Sequence, residues 1–354
     1  MNNPFEIFGG LDVRTEELQE KSVLDAVLDL EGKIIDQYKD GKIFTPNKDH
    51  GKIYEILYDS IKESLKEIGL TEKTISQYIN ARENRTDDYE AVIRGMYSAA
   101  ILEISCTENP DEEIIIDGCG KIFNYLFYYV KHASNISIQN FKGNHILGHA
   151  GNFGGNIKRV SLKNIEGDYT LGTLAENGNA EYLILNQIRG DNTLWYAGSR
   201  KGDVKHLVIE NITGYNTLCN AAIESGTLKH VYLRKVKGNN TLQVAGCNNG
   251  NIEYLNLHTI EGDGTLRDAG NFSGSMKKII LNDVLGYDTL RDIGISNGTV
   301  ENIFREHELN EHQKSILSQI QTIVETMHTL SSEEQTKAHD QIARLQIEIF
   351  AGEK

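Results

Sequence analysis

The chain has 354 residues, of which 39% are hydrophobic and 25% charged, and its net charge at pH 7 is −15. This composition is ordinary for a water-soluble protein, and no apolar run reaches the ~18 residues that a bilayer-spanning helix needs. Residues 1–110 hold 22 acidic and 13 basic side chains, whereas residues 131–305 hold 16 and 18. The acidic flank argues against a polyanion as its partner, because phosphate binding depends on Lys and Arg.

The N-terminus and the cysteines bear on where the protein works. Residues 1–8 do not show the basic, apolar and small-residue segments of a secretory signal. The 4 cysteines form no Cys-x-x-Cys pair and are too few for a disulfide framework. We therefore expect a cytoplasmic protein with reduced thiols, and the sequence predicts no cofactor and no metal ligands.

Residues 1–110 are predicted to form an α-helical domain. Apolar residues recur there at helical spacing, with few prolines to interrupt them. The predicted helices cover residues 15–38, 53–68, 71–80 and 89–105. After residue 110 the pattern changes to the alternation that is typical of β-strands.

One part of this domain, residues 52–86, resembles a helix-turn-helix. Gly69 would form the turn, and residues 71–80 would be the helix that enters the major groove. Two features weaken that interpretation: Leu65 stands where a small residue usually lets the two helices touch, and the segment carries six basic and six acidic side chains. We favour a helical hairpin with a polar face and keep nucleic-acid binding as a second alternative.

A repeat of about 24 residues organises the middle of the chain. Its leading glycines are Gly143, Gly167, Gly190, Gly214, Gly238, Gly262 and Gly286. A second glycine follows about half a period later, at Gly155, Gly178, Gly202, Gly226, Gly250, Gly274 and Gly298. Four residues after each leading glycine stands a leucine, at Leu147, Leu171, Leu194, Leu218, Leu242, Leu266 and Leu290.

A unit of this length cannot bury its apolar positions alone, because it holds only two or three short strands. Stacking the units turns each apolar column into an internal ladder. The glycine-rich half of the unit is too short for the helix of a leucine-rich repeat. Residues 111–305 therefore resemble β-solenoids as a class, and they predict a parallel β-solenoid of seven or eight coils with right-handed crossovers.

Residues 306–354 are predicted to form a C-terminal helical hairpin. Two heptad-like seams mark it, Ile316, Ile320, Ile323, Met327 and Leu330 in the first helix, then Ile342, Leu345 and Ile349 in the second. The hairpin would either cap the last coil or associate with a second copy through these residues. The sequence leaves both interpretations open.

The candidate ligand-binding residues lie in two groups on the repeat. Arg267-Asp268 and Arg291-Asp292 occupy the same columns of adjacent coils, and could clamp an anionic or sugar ligand or form an ion-pair ladder. Trp195 and Tyr196 stand in these columns upstream, where an aromatic ring could stack on a sugar or simply pack. No spacing identifies a catalytic set.

These features favour a non-enzymatic scaffold whose helical ends bind a protein partner or a second copy. The first alternative is a solenoid protein that binds or cleaves carbohydrates or polyanions. The histidines of the C-terminal helices, His307, His312, His328 and His339, are expected to be solvated.

Overall fold

A computed structural model describes residues 23–38, 50–65, 68–86 and 88–351 of the chain. Its first helices are α1 (residues 23–38), α2 (His50–Leu65), α3 (Glu72–Ala81) and α4 (Tyr89–Glu108). Residues 15–22 of the first predicted helix lie outside the described residues. Side-chain caps start two of these helices, because Thr71 Oγ1 accepts from the N–H of Thr74 and Asp88 Oδ1 from that of Ala91.

Nine strands follow and form a single parallel sheet in chain order. They are β1 (Glu113–Ile122), β2 (His132–Lys142), β3 (Asn156–Glu166), β4 (Asn179–Arg189), β5 (Asp203–Thr213), β6 (Thr227–Lys237), β7 (Asn251–Glu261), β8 (Ser275–Leu285) and β9 (Thr299–Arg305). Equivalent residues of successive coils pair, for example Leu183 with Leu207 and Leu207 with Val231. The predicted fold, a parallel β-solenoid between N-terminal helices and a C-terminal helical hairpin, is confirmed.

The two glycine columns bracket the strands. β5 begins directly after Gly202 and ends directly before Gly214, and the neighbouring coils repeat this arrangement. A Cβ atom on Gly190 would overlap the carbonyl oxygen of Gly167 in the preceding coil, and one on Gly226 would overlap that of Gly198. Glycine is needed at these corners because consecutive coils bring their backbones into direct contact.

The wall opposite the sheet is not made of strands, which differs from the two or three strands per coil that the sequence suggested. Many residues of this wall adopt the left-handed backbone conformation, for instance Tyr169, Leu171 and Ala175. Hydrogen bonds between coils still hold it, since the N–H of Leu171 donates to Ile146 O at 2.9 Å and that of Ala175 to Ala150 O at 2.8 Å. The coil-to-coil bonds offset the cost of left-handed residues.

The N-terminal helices close the β1 end of the solenoid. α3 packs on β1 and α4 on β2, and their apolar side chains belong to the same core as the coils. Asn84 connects the two parts, because its Nδ2 donates to Ala91 O at 2.9 Å and to Asn124 O at 2.7 Å. The first end of the solenoid is therefore covered.

The chain leaves β9 through a short 3-10 turn, Glu306–Glu308, and enters the hairpin of α5 (Glu311–Met327) and α6 (Ser332–Ala351). The hairpin does not sit over the last coil. It lies along the outer face of the sheet, where it forms a second hydrophobic core with strand residues as far back as Ile184. None of the helices in the described ranges has the length and apolar character to cross a membrane.

Candidate functional site

The outer face of the sheet carries an apolar stripe that the hairpin covers. We call Ile184, Val208, Tyr232 and Ile280 the apolar stripe; each is buried against α5 or α6. Strands β4, β5, β6 and β8 have three consecutive apolar residues here, so both of their faces are buried. This break in alternation was the sequence signal for the hairpin's position.

Polar contacts fix the hairpin on this stripe. The Arg234 side chain is 8% exposed and donates to Glu210 Oε1 of the neighbouring strand at 2.6 Å and to Glu325 Oε1 of α5 at 2.5 Å. Arg159 of β3 donates to Asn135 Oδ1 at 2.7 Å and to Thr336 Oγ1 of α6 at 3.3 Å. These contacts hold both helices of the hairpin near the turn that joins them.

A stacked column of four rings lies beside the stripe. The ring centroids of Tyr182 and His206 are 4.9 Å apart, those of His206 and His230 5.2 Å, and those of His230 and Tyr254 4.9 Å. His339 of α6 completes the group, with its ring 5.8 Å from His206 and 5.4 Å from Tyr182. We call His206, His230 and His339 the histidine cluster.

The surroundings of the histidine cluster favour the uncharged form of its rings. Burial, and then the charge of His230, lower the pKa of His206 to about 4. Burial also holds the pKa of His339 well below its usual value, with His206 and Arg159 adding to the effect. Two nitrogens, His206 Nδ1 and His339 Nε2, are buried without a hydrogen-bond partner in the described part of the chain. Both rings are therefore uncharged at pH 7.

This corrects the expectation for the C-terminal histidines. His339 is 1% exposed, because it faces the sheet at the hairpin interface. His307 and His312 are solvated as expected, with side chains 74% and 73% exposed. Sequence spacing within a helix could not show which face meets the sheet.

The residues predicted for self-association lie at the same interface. Ile316, Ile320, Met327, Ile342 and Ile349 are buried within the single chain. Ile323, Leu330 and Leu345 are partly buried against them. Association of two copies through these residues would require the hairpin to leave its own sheet, and such pairing stays a prediction.

The predicted ligand group lies on the wall opposite the sheet, and its charges pair with one another. Arg291 contacts Asp288 at 3.2 Å and Asp292 at 3.3 Å. Arg267 lies 3.7 Å from Asp268 and 4.0 Å from Asp288. The group has the geometry of an ion-pair ladder, and ligand binding by it stays a prediction.

Trp195 and Tyr196 do not join this group. Their ring centroids are 4.6 Å apart, and Trp195 also meets the edge of Tyr169 at 6.0 Å. Tyr169 stacks on His145, which stacks on Tyr125, each at 4.8 Å. The rings form an aromatic ladder toward the N-terminal end, whereas the arginines lie toward the C-terminal end.

The fold buries one side of the second helix of the helix-turn-helix segment. In α3 the side chains of Thr74, Ile75, Tyr78 and Ile79 are buried, and the helix packs on β1. Its opposite face is only partly exposed at Ser76 and Gln77. DNA binding by this helix stays a prediction.

The C-terminal end of the solenoid is open within the described ranges. Leu266, Ala269 and Met276 are fully buried, whereas their equivalents one coil later, Leu290, Ile293 and Val300, are only partly buried. The exposed apolar side chains of this region are Leu285 at 58%, Tyr287 at 84% and Ile295 at 49%. We call this surface, formed by the last coil and β9, the open end.

Comparisons of the chain with protein-family models, curated proteins and solved structures find no match. Among the described residues, no group of three or more His, Cys, Asp and Glu side chains is arranged to hold a metal ion.

Proposed function

We propose that this protein is a non-enzymatic interaction scaffold that binds a second copy of itself through the open end. The observation that carries the proposal is the exposed cross-section of the core at the last coil. Leu285, Tyr287 and Ile295 present apolar surface there, beside core positions that earlier coils bury completely. An exposed apolar surface of this kind is typical of an association site.

The closed first end supports a dimer over a filament. A solenoid with two open ends can add copies head to tail without limit. Here the helical domain covers the β1 end, through α3 on β1 and α4 on β2. End-to-end stacking of two solenoids can therefore occur only through their open ends, and a two-fold arrangement of this kind closes at two.

The size of the open end fits a specific interface. An 11-residue strand such as β8 is about 36 Å long, and two walls with their side chains are about 20 Å thick. The end face thus covers on the order of 700 Å² per copy, near the ~800 Å² per partner of a standard interface.

Charges at the open end also complement one another between copies. Arg305 pairs in register with Leu281 of the preceding coil, so it ends an inner apolar column. Its side chain makes no ion pair in the described part of the chain, and neither do the carboxylates of Asp283 and Glu301. Because both signs are unpaired on one surface, a two-fold partner offers carboxylates to Arg305 and an arginine in return.

Light scattering during size-exclusion chromatography tests this proposal. We expect the molar mass to rise from the 39.7 kDa of one chain toward twice that value as the concentration increases. Ile295→Arg should hold the protein at the mass of one chain, because it places a charge in the apolar contact.

Ile56→Arg is the matched control, since Ile56 is 64% exposed on α2 at the closed end. This variant should associate like the unchanged protein. A single-chain mass for the unchanged protein over the whole concentration range would overturn the proposal, as would equal effects of the two substitutions.

A further inference from the structure

We propose that the C-terminal hairpin is an acid-sensitive latch, which protonation of the histidine cluster releases from the sheet to uncover the apolar stripe. This inference is independent of association through the open end, because it concerns the outer face of the sheet. It rests on where the three rings lie and on what surrounds them.

The cluster lies between the two bodies that would separate. His206 and His230 stand on β5 and β6, and His339 stands on α6. The hairpin reaches the column again at Gln346, whose Oε1 is 3.0 Å from His230 Nδ1 and whose Nε2 donates to Val231 O at 3.2 Å. Protonation of this cluster therefore acts directly on the docking of the hairpin.

Three positive charges here would repel one another at short range. The ring centroids of His206 lie 5.2 Å from His230 and 5.8 Å from His339. Arg159, which is 7% exposed, already brings one cation to the His339 side of the cluster. Close cations in a desolvated interface destabilise it strongly.

The remaining charged neighbours offset only part of this repulsion. Asp340 of α6 lies 3.9 Å from His206 Nε2 and also accepts from the Tyr182 hydroxyl at 3.2 Å. The sheet contributes charges of both signs near the cluster, Lys205 and Glu181 beside His206, then Lys229 and Glu253 beside His230. Lys205 is paired with Glu181 at 2.8 Å, so this part of the rim is neutral overall.

The direction of the pH effect follows from the depressed pKa values. An exposed histidine has a pKa near 6.5, whereas burial, and then His230, lower that of His206 to about 4 in the docked protein. Between these values the undocked state of the protein binds more protons, so docking weakens as the pH falls below ~6.5 and is insensitive to pH above it. His206 alone would weaken docking by at most about 20-fold between pH 7 and pH 5, the limit reached when undocking restores its ordinary pKa, and His230 and His339 act in the same direction.

Hydrogen–deuterium exchange tests the latch in the full-length protein. Amide protection is compared at pH 7.5 and pH 5.0, after correction for the intrinsic exchange rate. We expect α5 and α6 to lose protection about 10-fold or more at pH 5.0, while α4 and strands β3 to β7 keep theirs. Equal protection of the hairpin at both values would overturn the proposal.

Two variants separate the histidines from other acid effects. His206→Tyr keeps a stacked ring, since the same column already holds Tyr182 and Tyr254, and it should reduce the loss of protection at pH 5.0. His230→Tyr should do the same if the first variant fails to fold. His312→Gln is the control, because its ring is exposed, and it should behave like the unchanged protein. Unaltered acid release in both tyrosine variants would contradict the latch.

Discussion

Replacing Glu31 with alanine is expected to lower the free energy of unfolding by about 3 kcal/mol or more. The Glu31 side chain is 1% exposed and lies between three elements of the helical domain. It accepts hydrogen bonds from Arg82 Nε at 2.6 Å, from Arg94 Nε at 3.0 Å and from the Tyr78 hydroxyl at 2.7 Å. Its removal leaves the buried Tyr78 hydroxyl and the Nε atoms of Arg82 and Arg94 without this acceptor, while Arg94 keeps its pair with Glu90 at 2.7 Å.

The cost arises from burial as well as from lost contacts. Tyr78 is fully buried, and burial followed by the negative charge of Glu31 holds the pKa of its hydroxyl well above the usual value. A buried polar group that loses its partner keeps its desolvation penalty. Glu31→Gln should cost less than Glu31→Ala, because the amide oxygen can still accept one of the bonds.

Urea unfolding followed by circular dichroism measures this effect. Glu83→Ala is the control, since Glu83 contacts Arg85 at 2.8 Å but both side chains are largely exposed. Exposed pairs contribute little, so this variant should unfold like the unchanged protein. Similar midpoints for Glu31→Ala and Glu83→Ala would contradict a buried charge hub in the helical domain.

Gly226→Ala is the second substitution with a large expected effect. The added Cβ would overlap the carbonyl oxygen of Gly198 in the preceding coil. Because the obstacle is backbone and cannot rotate away, the coils must separate locally. We expect a loss of about 3 kcal/mol or more in the free energy of unfolding.

Gly154→Ala is the matched control for this clash. Gly154 has a φ of +80°, but a Cβ placed there meets no atom within 4 Å. Only the left-handed conformation is penalised, by about 1 to 2 kcal/mol. Thermal unfolding of both variants should therefore show the larger drop for Gly226→Ala, and a smaller or equal drop would argue against close stacking at the glycine corners.

The repeat made the fold predictable because its constraints recur in every coil. Gly202 and Gly214 mark the two ends of β5, and Leu194 and Leu218 lie in the buried column that the sequence identified. The left-handed wall was not predictable. Residues such as Leu171 and Tyr169 have no local preference for that conformation, and hydrogen bonds to neighbouring coils help to hold them there.

The functional features were harder to predict from the sequence, because they depend on how the helices, the coils and the hairpin pack against one another. An apolar seam such as Ile316, Ile320 and Met327 can pack on a sheet or on a second pair of helices. Its spacing therefore could not identify the apolar stripe as the surface that it contacts. In the sequence His339 lies among mostly polar helix residues, yet in the structure it faces the sheet and is buried. The repeat sequence does not show where the open end lies, because Leu290 of the last coil occupies the same column as Leu266 of the preceding coil.

Distance measurement between spin labels tests the central claim, that two copies meet at their open ends, most directly. Cys119 is the only exposed cysteine of the described residues, so Cys119→Ser provides the background. A label at Tyr287→Cys should report a short distance between copies, whereas one at Ile56→Cys should not, since two closed ends would lie about 75 Å apart. The absence of a short distance from the Tyr287 label, or an equally short one from the Ile56 label, would contradict the account.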